Sequence, residues 1–194
     1  MHALSFATSD ARKVPPAARV LARYGITVTH HAMILPDVQD PSAAIVAGKK
    51  VFAAYAAVQG PVIVQDNALN IRALGLFPGT DVKRVTGEIG IQGYLDLLEG
   101  FQDRACWFTD AIVYIDHKSL SPVFFIRCEA GSIALAPDGD ATRHSSPLAS
   151  IFIPAGYDRT VAALTPPELA AYRARDEGDG FYHRLARYLR KLEY

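Results

Sequence analysis

One aspartate stands where a carboxylate can do chemistry. Asp66 follows a β-branched run that begins after Gly60-Pro61, and this run predicts a buried strand over 62–65. Asn67 and the Leu-rich segment after it predict that the chain leaves the strand there. Ligands of open α/β sheets bind beyond the carboxyl ends of the strands, so an acid at this point could hold a metal ion or activate water. The same position also suits an Asx-turn or a helix N-cap.

A polar loop near the start of the chain could bind an anion. Between a strand predicted over 3–7 and a helix predicted over 14–22, the loop contains Thr8, Ser9, Asp10, Arg12 and Lys13. A loop that runs from a strand into a helix offers backbone N–H groups and the positive end of the helix dipole, which together suit a phosphate. Arg12 and Lys13 are also compatible with solvated charges, although cations are disfavoured at a helix start.

The elements that would position these residues alternate between strand and helix patterns. Strands are predicted over 3–7, 26–31, 62–65 and 151–153, and helices over 14–22, 42–57, 88–98, 166–175 and 181–191. The runs 105–116 and 122–134 predict an antiparallel hairpin, and 176–180 a mobile linker. This order predicts an α/β fold with a mixed sheet flanked by helices.

The composition limits the classes of function. A chain of 194 residues, half of them hydrophobic, suits one domain over residues 1–194, with room for two lobes. The 20 basic and 20 acidic side chains cancel, which favours a small-molecule ligand over nucleic acid or a membrane surface. Two cysteines, Cys106 and Cys128, do not make a disulfide framework, and no secretory signal pattern is present, so we expect a soluble cytoplasmic protein.

Several segments in a fixed order resemble a known family. These are the loop 8–13, Leu35-Pro36-Asp37, Lys50, the segment around Asp66 and the pair His183-Arg184. Together they resemble the inosine triphosphate pyrophosphatases, which hydrolyse non-canonical purine nucleoside triphosphates. The resemblance implies an elongated mixed sheet with two lobes and a central active-site cleft. It also implies a homodimer and Mg²⁺-dependent cleavage of a nucleoside triphosphate to a monophosphate and pyrophosphate.

The resemblance assigns the reacting groups. Asp66 would be a metal ligand or the base for the attacking water, and Asp37 would hold the metal with it. Lys13 would hold phosphate during the reaction. Lys50 would face the phosphates and Lys83 would line the cleft, while Lys49, next to Lys50, keeps the ordinary role of a solvated helix lysine.

The remaining substrate-binding residues lie at the two ends of the chain. In the loop, Thr8, Ser9 and Asp10 would bind substrate beside the catalytic lysine. In the last helix, His183 and Arg184 would recognise the 6-oxo group of the purine. Arginine only donates hydrogen bonds, so it pairs with a carbonyl and is mismatched against the amino group of adenine.

The chain departs from the family pattern at several of these positions. Asp10 replaces an asparagine and is expected to serve a metal or a different substrate, Gln65 replaces an acid, and Tyr182 replaces the serine of Ser-His-Arg. Residues 146–150 replace the aromatic loop that stacks on the base. Two alternatives therefore stay open: a nucleotide-binding protein without catalysis, and a pyrophosphatase of altered base specificity in specialised metabolism.

Overall fold

The computed structural model describes residues 2–36, 38–118, 121–175 and 179–192. The strands within these ranges are β1 (His2–Ala7), β2 (Ile26–His31), β3 (Val62–Ile71), β4 (Pro78–Gly79), β5 (Ala105–Ile115), β6 (Val123–Ile133) and β7 (Phe152–Pro154). The helices are α1 (Val14–Ala22), α2 (Ala43–Val58), α3 (Val82–Leu97), α4 (Pro166–Ala174) and α5 (Phe181–Lys191). None of the helices in the described ranges is long and apolar enough to cross a membrane.

The strands form one mixed sheet, which confirms the predicted α/β class. Their order is β2-β1-β3-β5-β6-β7, and β4 pairs with β3. β1 is parallel to β2 along its whole length and to β3 at Ser5 and Phe6, whereas β7 is antiparallel to β6. β5 and β6 are antiparallel as predicted, because the start of β5 meets the end of β6: the amide of Ile133 donates to the carbonyl of Arg104 at 2.9 Å.

Local signals account for where the helices begin. α1 carries Pro15 and Pro16 in its first turn, where the missing N–H groups cost nothing. α2 begins after Ser42, whose hydroxyl accepts a hydrogen bond from the amide of Ile45. α4 has the capping box of Thr165 and Glu168. The predicted bounds of α1 and α5 are those observed.

Two predicted boundaries are wrong by several residues. β3 does not end before Asn67 but continues to Ile71, because Leu69 and Ile71 are fully buried in a hydrophobic core. Burial in the sheet outweighs the turn preference of asparagine. Asp66 therefore lies in the middle of a ten-residue strand rather than at its end. α3 begins at Val82, not at 88, and is kinked at Gly90, whose φ of +64° and ψ of −171° favour glycine.

The chain divides into two compact units, and three of the four boundaries fall within β3, β5 and β6, while the fourth follows α4. The first unit comprises Met1–Asp66, Asp110–Arg127 and Asp176–Tyr194, and the second comprises Asn67–Thr109 and Cys128–Arg175. The first core packs β1, β3 and β5 against α1 and α5, and includes Leu4, Phe6, Ile63, Ile112 and Leu185. The second core includes Leu69, Ile71, Tyr94, Leu98 and Ile151.

Candidate active site

An ion pair joins Asp66 on β3 to Lys50 on α2. The Lys50 Nζ lies 2.6 Å from Oδ2 of Asp66, and the two side chains are only 17% and 11% exposed. Successive residues of a strand point to opposite faces of the sheet, so Asp66 faces α2 whereas Gln65 faces the other side. Of the two adjacent lysines, Lys50 therefore pairs with the largely buried carboxylate of Asp66. Lys49 is exposed, as expected.

Lys13 belongs to the same group of charges. It ends the short 3₁₀ turn Ala11–Lys13 that leads into α1, and its Nζ donates to the backbone carbonyl of Gln65 at 3.1 Å. Burial lowers the pKa of Lys13 below its ordinary value, while the charges of Asp66, Asp110 and Asp10 oppose that shift. Lys13, Lys50 and Asp66 are thus brought together within the first unit.

The loop before Lys13 is ordered by its own side chains. Asp10 caps the turn by accepting from the amide of Arg12, and it accepts two further bonds from the Arg12 guanidinium at 2.8 and 2.6 Å. The Thr8 hydroxyl accepts from the amide of Asp10 at 3.1 Å. Thr8 is buried and Ser9 is exposed. The guanidinium of Arg12 compensates the charge of Asp10, which would otherwise repel a phosphate at this loop.

His183 and Arg184 lie in the first turn of α5, and both are anchored. The His183 Nδ1 lies 2.9 Å from the hydroxyl of Tyr24, and the two rings pack edge to face at 5.8 Å. Arg184 donates from Nη2 to the backbone carbonyl of Ile126, whereas its buried Nε has no hydrogen-bond partner among the described residues. An unsatisfied donor is what a ligand with an acceptor oxygen would relieve.

Two polar contacts in the first unit were not apparent in the sequence, one between Asp110 and Arg127 and one between Gln65 and Tyr182. Asp110 on β5 pairs with Arg127 on β6 at 3.7 Å and contributes to the electrostatics of Lys13. In the sequence it was one of two carboxylates, with Asp116, in the strand-like run 105–116. Gln65 accepts a hydrogen bond from the hydroxyl of Tyr182 at 2.8 Å. The family resemblance marked Gln65 and Tyr182 as departures, but it did not indicate that their side chains meet.

The segment in place of the base-stacking loop is packed into the second unit. Pro147–Ser150 forms a 3₁₀ turn, and Leu148 is 3% exposed within the second core. The Ser146 hydroxyl accepts from the amide of Leu148, and the Ser150 hydroxyl donates to the carbonyl of Pro147. This turn offers no aromatic face. Phe181 in the first unit does not offer one either, because it is buried against the neighbouring ring of α5.

Two predicted site residues remain, Lys83 and Asp37. Lys83 lies exposed on α3 in the second unit. Asp37 falls outside the described residues, as do 176–178 of the predicted linker. Within the described ranges, no group of three or more His, Cys, Asp or Glu side chains is arranged to hold a metal ion. Mg²⁺ bound mainly by the phosphates of a substrate needs only one or two protein carboxylates, and Asp66 is one carboxylate of the described residues that could serve.

Known proteins resemble this chain in sequence and in structure. A profile described as the Ham1 family matches residues 4–178. A dITP/XTP pyrophosphatase from Methanopyrus kandleri is 36% identical over 159 residues, 82% of either chain. One from Hyperthermus butylicus is 33% identical over 185 residues, 95% of this chain and 93% of the other. A solved structure of a HAM1 protein from Coxiella burnetii superposes with a TM-score of 0.80 at 22% identity and covers 98% of this chain and 100% of its own.

Proposed function

Because the chain belongs to the Ham1 family, we propose that it hydrolyses non-canonical purine nucleoside triphosphates to the monophosphate and pyrophosphate. The family match and the similar dITP/XTP pyrophosphatases identify the chain as a nucleoside triphosphate pyrophosphatase, which is a hydrolase that acts on a phosphoanhydride bond. The observation that carries the residue assignment is the meeting of Lys13, Lys50 and Asp66. Two cations can neutralise charge on the phosphates and a carboxylate beside them can activate water, so this group suits hydrolysis of a phosphate chain.

In this proposal, the substrate replaces part of the ion pair. A phosphate oxygen that reaches Lys50 competes with Oδ2 of Asp66, which lies 2.6 Å from the ammonium in the described structure. As Lys50 turns to the phosphate, Asp66 gains the freedom to accept a proton from the attacking water. Lys13 holds a second phosphate oxygen, and the amides of the loop 8–13 orient the chain of phosphates.

Mg²⁺ is part of the proposal. Asp37 would hold the ion together with substrate oxygens, with Asp66 as a second ligand in its alternative role, and the ion would neutralise charge on the phosphates. The family resemblance also assigns Lys83 a contact with the substrate. The binding of metal by Asp37 is inferred from the family resemblance alone.

Recognition of the base is assigned to α5. The unpartnered Nε of Arg184 supports a role as donor to the 6-oxo group of hypoxanthine or xanthine. His183 is held by Tyr24 beside it. Since the segment 146–150 provides no stacking ring, we propose weaker base affinity than a stacking platform gives, by roughly 1 to 3 kcal/mol. A homodimer in the cytoplasm completes the proposal, and light scattering tests the dimer.

The proposal is tested by pyrophosphate release. Inosine, xanthosine, adenosine and guanosine triphosphates are supplied with Mg²⁺ or with a chelator, and pyrophosphate is quantified. We expect Mg²⁺-dependent release that is fastest with inosine and xanthosine triphosphates, whose purines carry a 6-oxo group and no amino group. Release from adenosine triphosphate alone would instead support altered base specificity, and tight binding without release would support the non-catalytic alternative.

Substitution of Asp66 tests the assignment of the base. Asp66→Asn keeps the shape but removes the proton acceptor, so we expect kcat to fall by roughly 10²- to 10⁴-fold. Asp103→Asn is the matched control, because this exposed carboxylate pairs with Arg72 in the second unit. Full turnover by Asp66→Asn would show that the mechanism is assigned to the wrong carboxylate.

A further inference from the structure

A hydrogen bond links the start of α5 to the middle of β3. The Tyr182 hydroxyl donates to Oε1 of Gln65 at 2.8 Å across 117 positions of sequence. Tyr182 is buried, and its ring packs on Phe181 with the centroids 4.5 Å apart. Burial, aided by the charge of Asp110, raises the pKa of Tyr182 above its ordinary value. The hydroxyl therefore keeps its proton at neutral pH and remains a donor.

The two linked residues adjoin the two halves of the proposed site. Gln65 directly precedes Asp66, and its backbone carbonyl accepts the bond from Lys13. Tyr182 directly precedes His183 and Arg184 in the first turn of α5. A single side-chain contact thus ties the turn assigned to the base to the strand that carries the reacting carboxylate.

Both linked residues are departures from the family pattern. According to the resemblance drawn from the sequence, Gln65 stands in place of an acid and Tyr182 in place of a serine. A serine at 182 lacks the ring that carries the hydroxyl from the helix to β3. The amide oxygen of Gln65 accepts the bond without adding a charge near Asp110, which already influences Tyr182. The two changes therefore complement each other in one contact.

We propose that Tyr182 is a positioning residue for purine selectivity: through Gln65, it holds the first turn of α5 in register with Asp66. This inference rests on the proposed function. The base and the α-phosphate of a nucleotide are joined by one ribose, which limits the distance between them, so a shift of α5 against β3 misplaces one end of the substrate. A misplacement of about 1 Å can cost on the order of 10²-fold in rate, and loosening one contact should cost less.

The test removes only the hydroxyl. For Tyr182→Phe, kcat and KM are measured with inosine and adenosine triphosphates, and inorganic triphosphate is used as a competitive inhibitor. We expect the ratio of kcat/KM between the two nucleotides to move about 10-fold toward 1, as for the loss of about 1.4 kcal/mol of discrimination. The inhibition constant of inorganic triphosphate, which has no base, should change less than about twofold.

A matched control lies on the same helix. Tyr188→Phe also removes a hydroxyl from α5, where the ring packs edge to face on Tyr114 and Phe125. We expect it to leave the selectivity ratio unchanged. A merely structural role of Tyr182 would instead lower the melting temperature and weaken the nucleotides and inorganic triphosphate alike.

A second variant keeps the proposal testable if Tyr182→Phe fails to fold. Gln65→Met removes the acceptor from the other side, and it should reproduce the change in selectivity. The double variant should show little further loss, because both substitutions break the same bond. Additive effects, or an active Tyr182→Phe protein with unchanged selectivity, would overturn the proposal while leaving the hydrolase intact. A wild-type protein that releases no pyrophosphate would overturn the proposed function, and this inference with it.

Discussion

The ion pair between Lys50 and Asp66 makes a quantitative prediction for Lys50→Met. Two unit charges 2.6 Å apart attract by about 6 kcal/mol at an effective dielectric constant of about 20. Desolvation of both charges cancels most of this attraction. Removing Lys50, however, leaves the carboxylate of Asp66 largely buried without that partner. Fully buried pairs lose about 3 to 5 kcal/mol on such a truncation. Because both side chains here keep some exposure, we expect the free energy of unfolding to fall by about 2 kcal/mol.

The assay is urea denaturation, followed by circular dichroism and by the fluorescence of the single tryptophan, Trp107. Coincidence of the two transitions checks that unfolding is two-state. In a thermal scan, a loss of about 2 kcal/mol corresponds to about 4 to 8 °C for a chain of this size. Lys49→Met is the matched control: its side chain is exposed on the same helix, so the change should stay within about 0.5 kcal/mol.

A double variant separates the interaction energy of the ion pair from the effects of the two single substitutions. Lys50→Met should destabilise the protein because the charge of Asp66 loses its ion pair with Lys50. Removing that charge as well should then recover part of the lost free energy of unfolding. We expect Lys50→Met with Asp66→Asn to lose about 1 kcal/mol less than the sum of the two single changes. Equal stability of the Lys49→Met and Lys50→Met proteins would refute the reasoning, because the pair would then contribute no more than an ion pair on the surface.

Two further predictions concern charge and packing. Asp110→Asn removes a charge that raises the pKa of Lys13, so that pKa should fall further below 10.5. Since phosphate binding requires the ammonium form, the alkaline limb of a pH profile of kcat/KM should move to lower pH, whereas Asp103→Asn should leave it in place. Leu148→Ala, in the second core, should cost about 3 kcal/mol in a denaturant titration. Leu135→Ala, at a residue 83% exposed, should cost less than about 0.5 kcal/mol, and equal losses would contradict the assignment of Leu148 to the core.

Most elements of the fold are predictable from local signals. Pro15 and Pro16 set the start of α1, and Ser42 sets the start of α2, because capping and proline geometry act over a few residues. The continuation of β3 through Asn67 was not predictable in the same way. That part of the strand is held by burial of Leu69 and Ile71 in a core whose other members are distant in sequence.

The residues of the candidate site were likewise predictable from the sequence, whereas the contacts between them were not. The sequence, through its family resemblance, identified Lys13, Lys50 and Asp66 as a set, since the order and spacing of such residues are properties of the chain itself. It did not indicate that Lys50 would pair with Asp66 or that Asp110 would influence Lys13. Only the packing of β3 between its neighbouring elements decided those distances.

The hydrogen bond between Gln65 and Tyr182 shows most clearly why contacts between distant residues cannot be read from the sequence alone. Each residue by itself is a departure from a motif, and that much the sequence determines. Their contact spans 117 positions, so no local preference of either residue can specify it. Periodicity and capping encode where a helix or strand forms, whereas the tertiary packing of α5 on β3 decides which side chains meet.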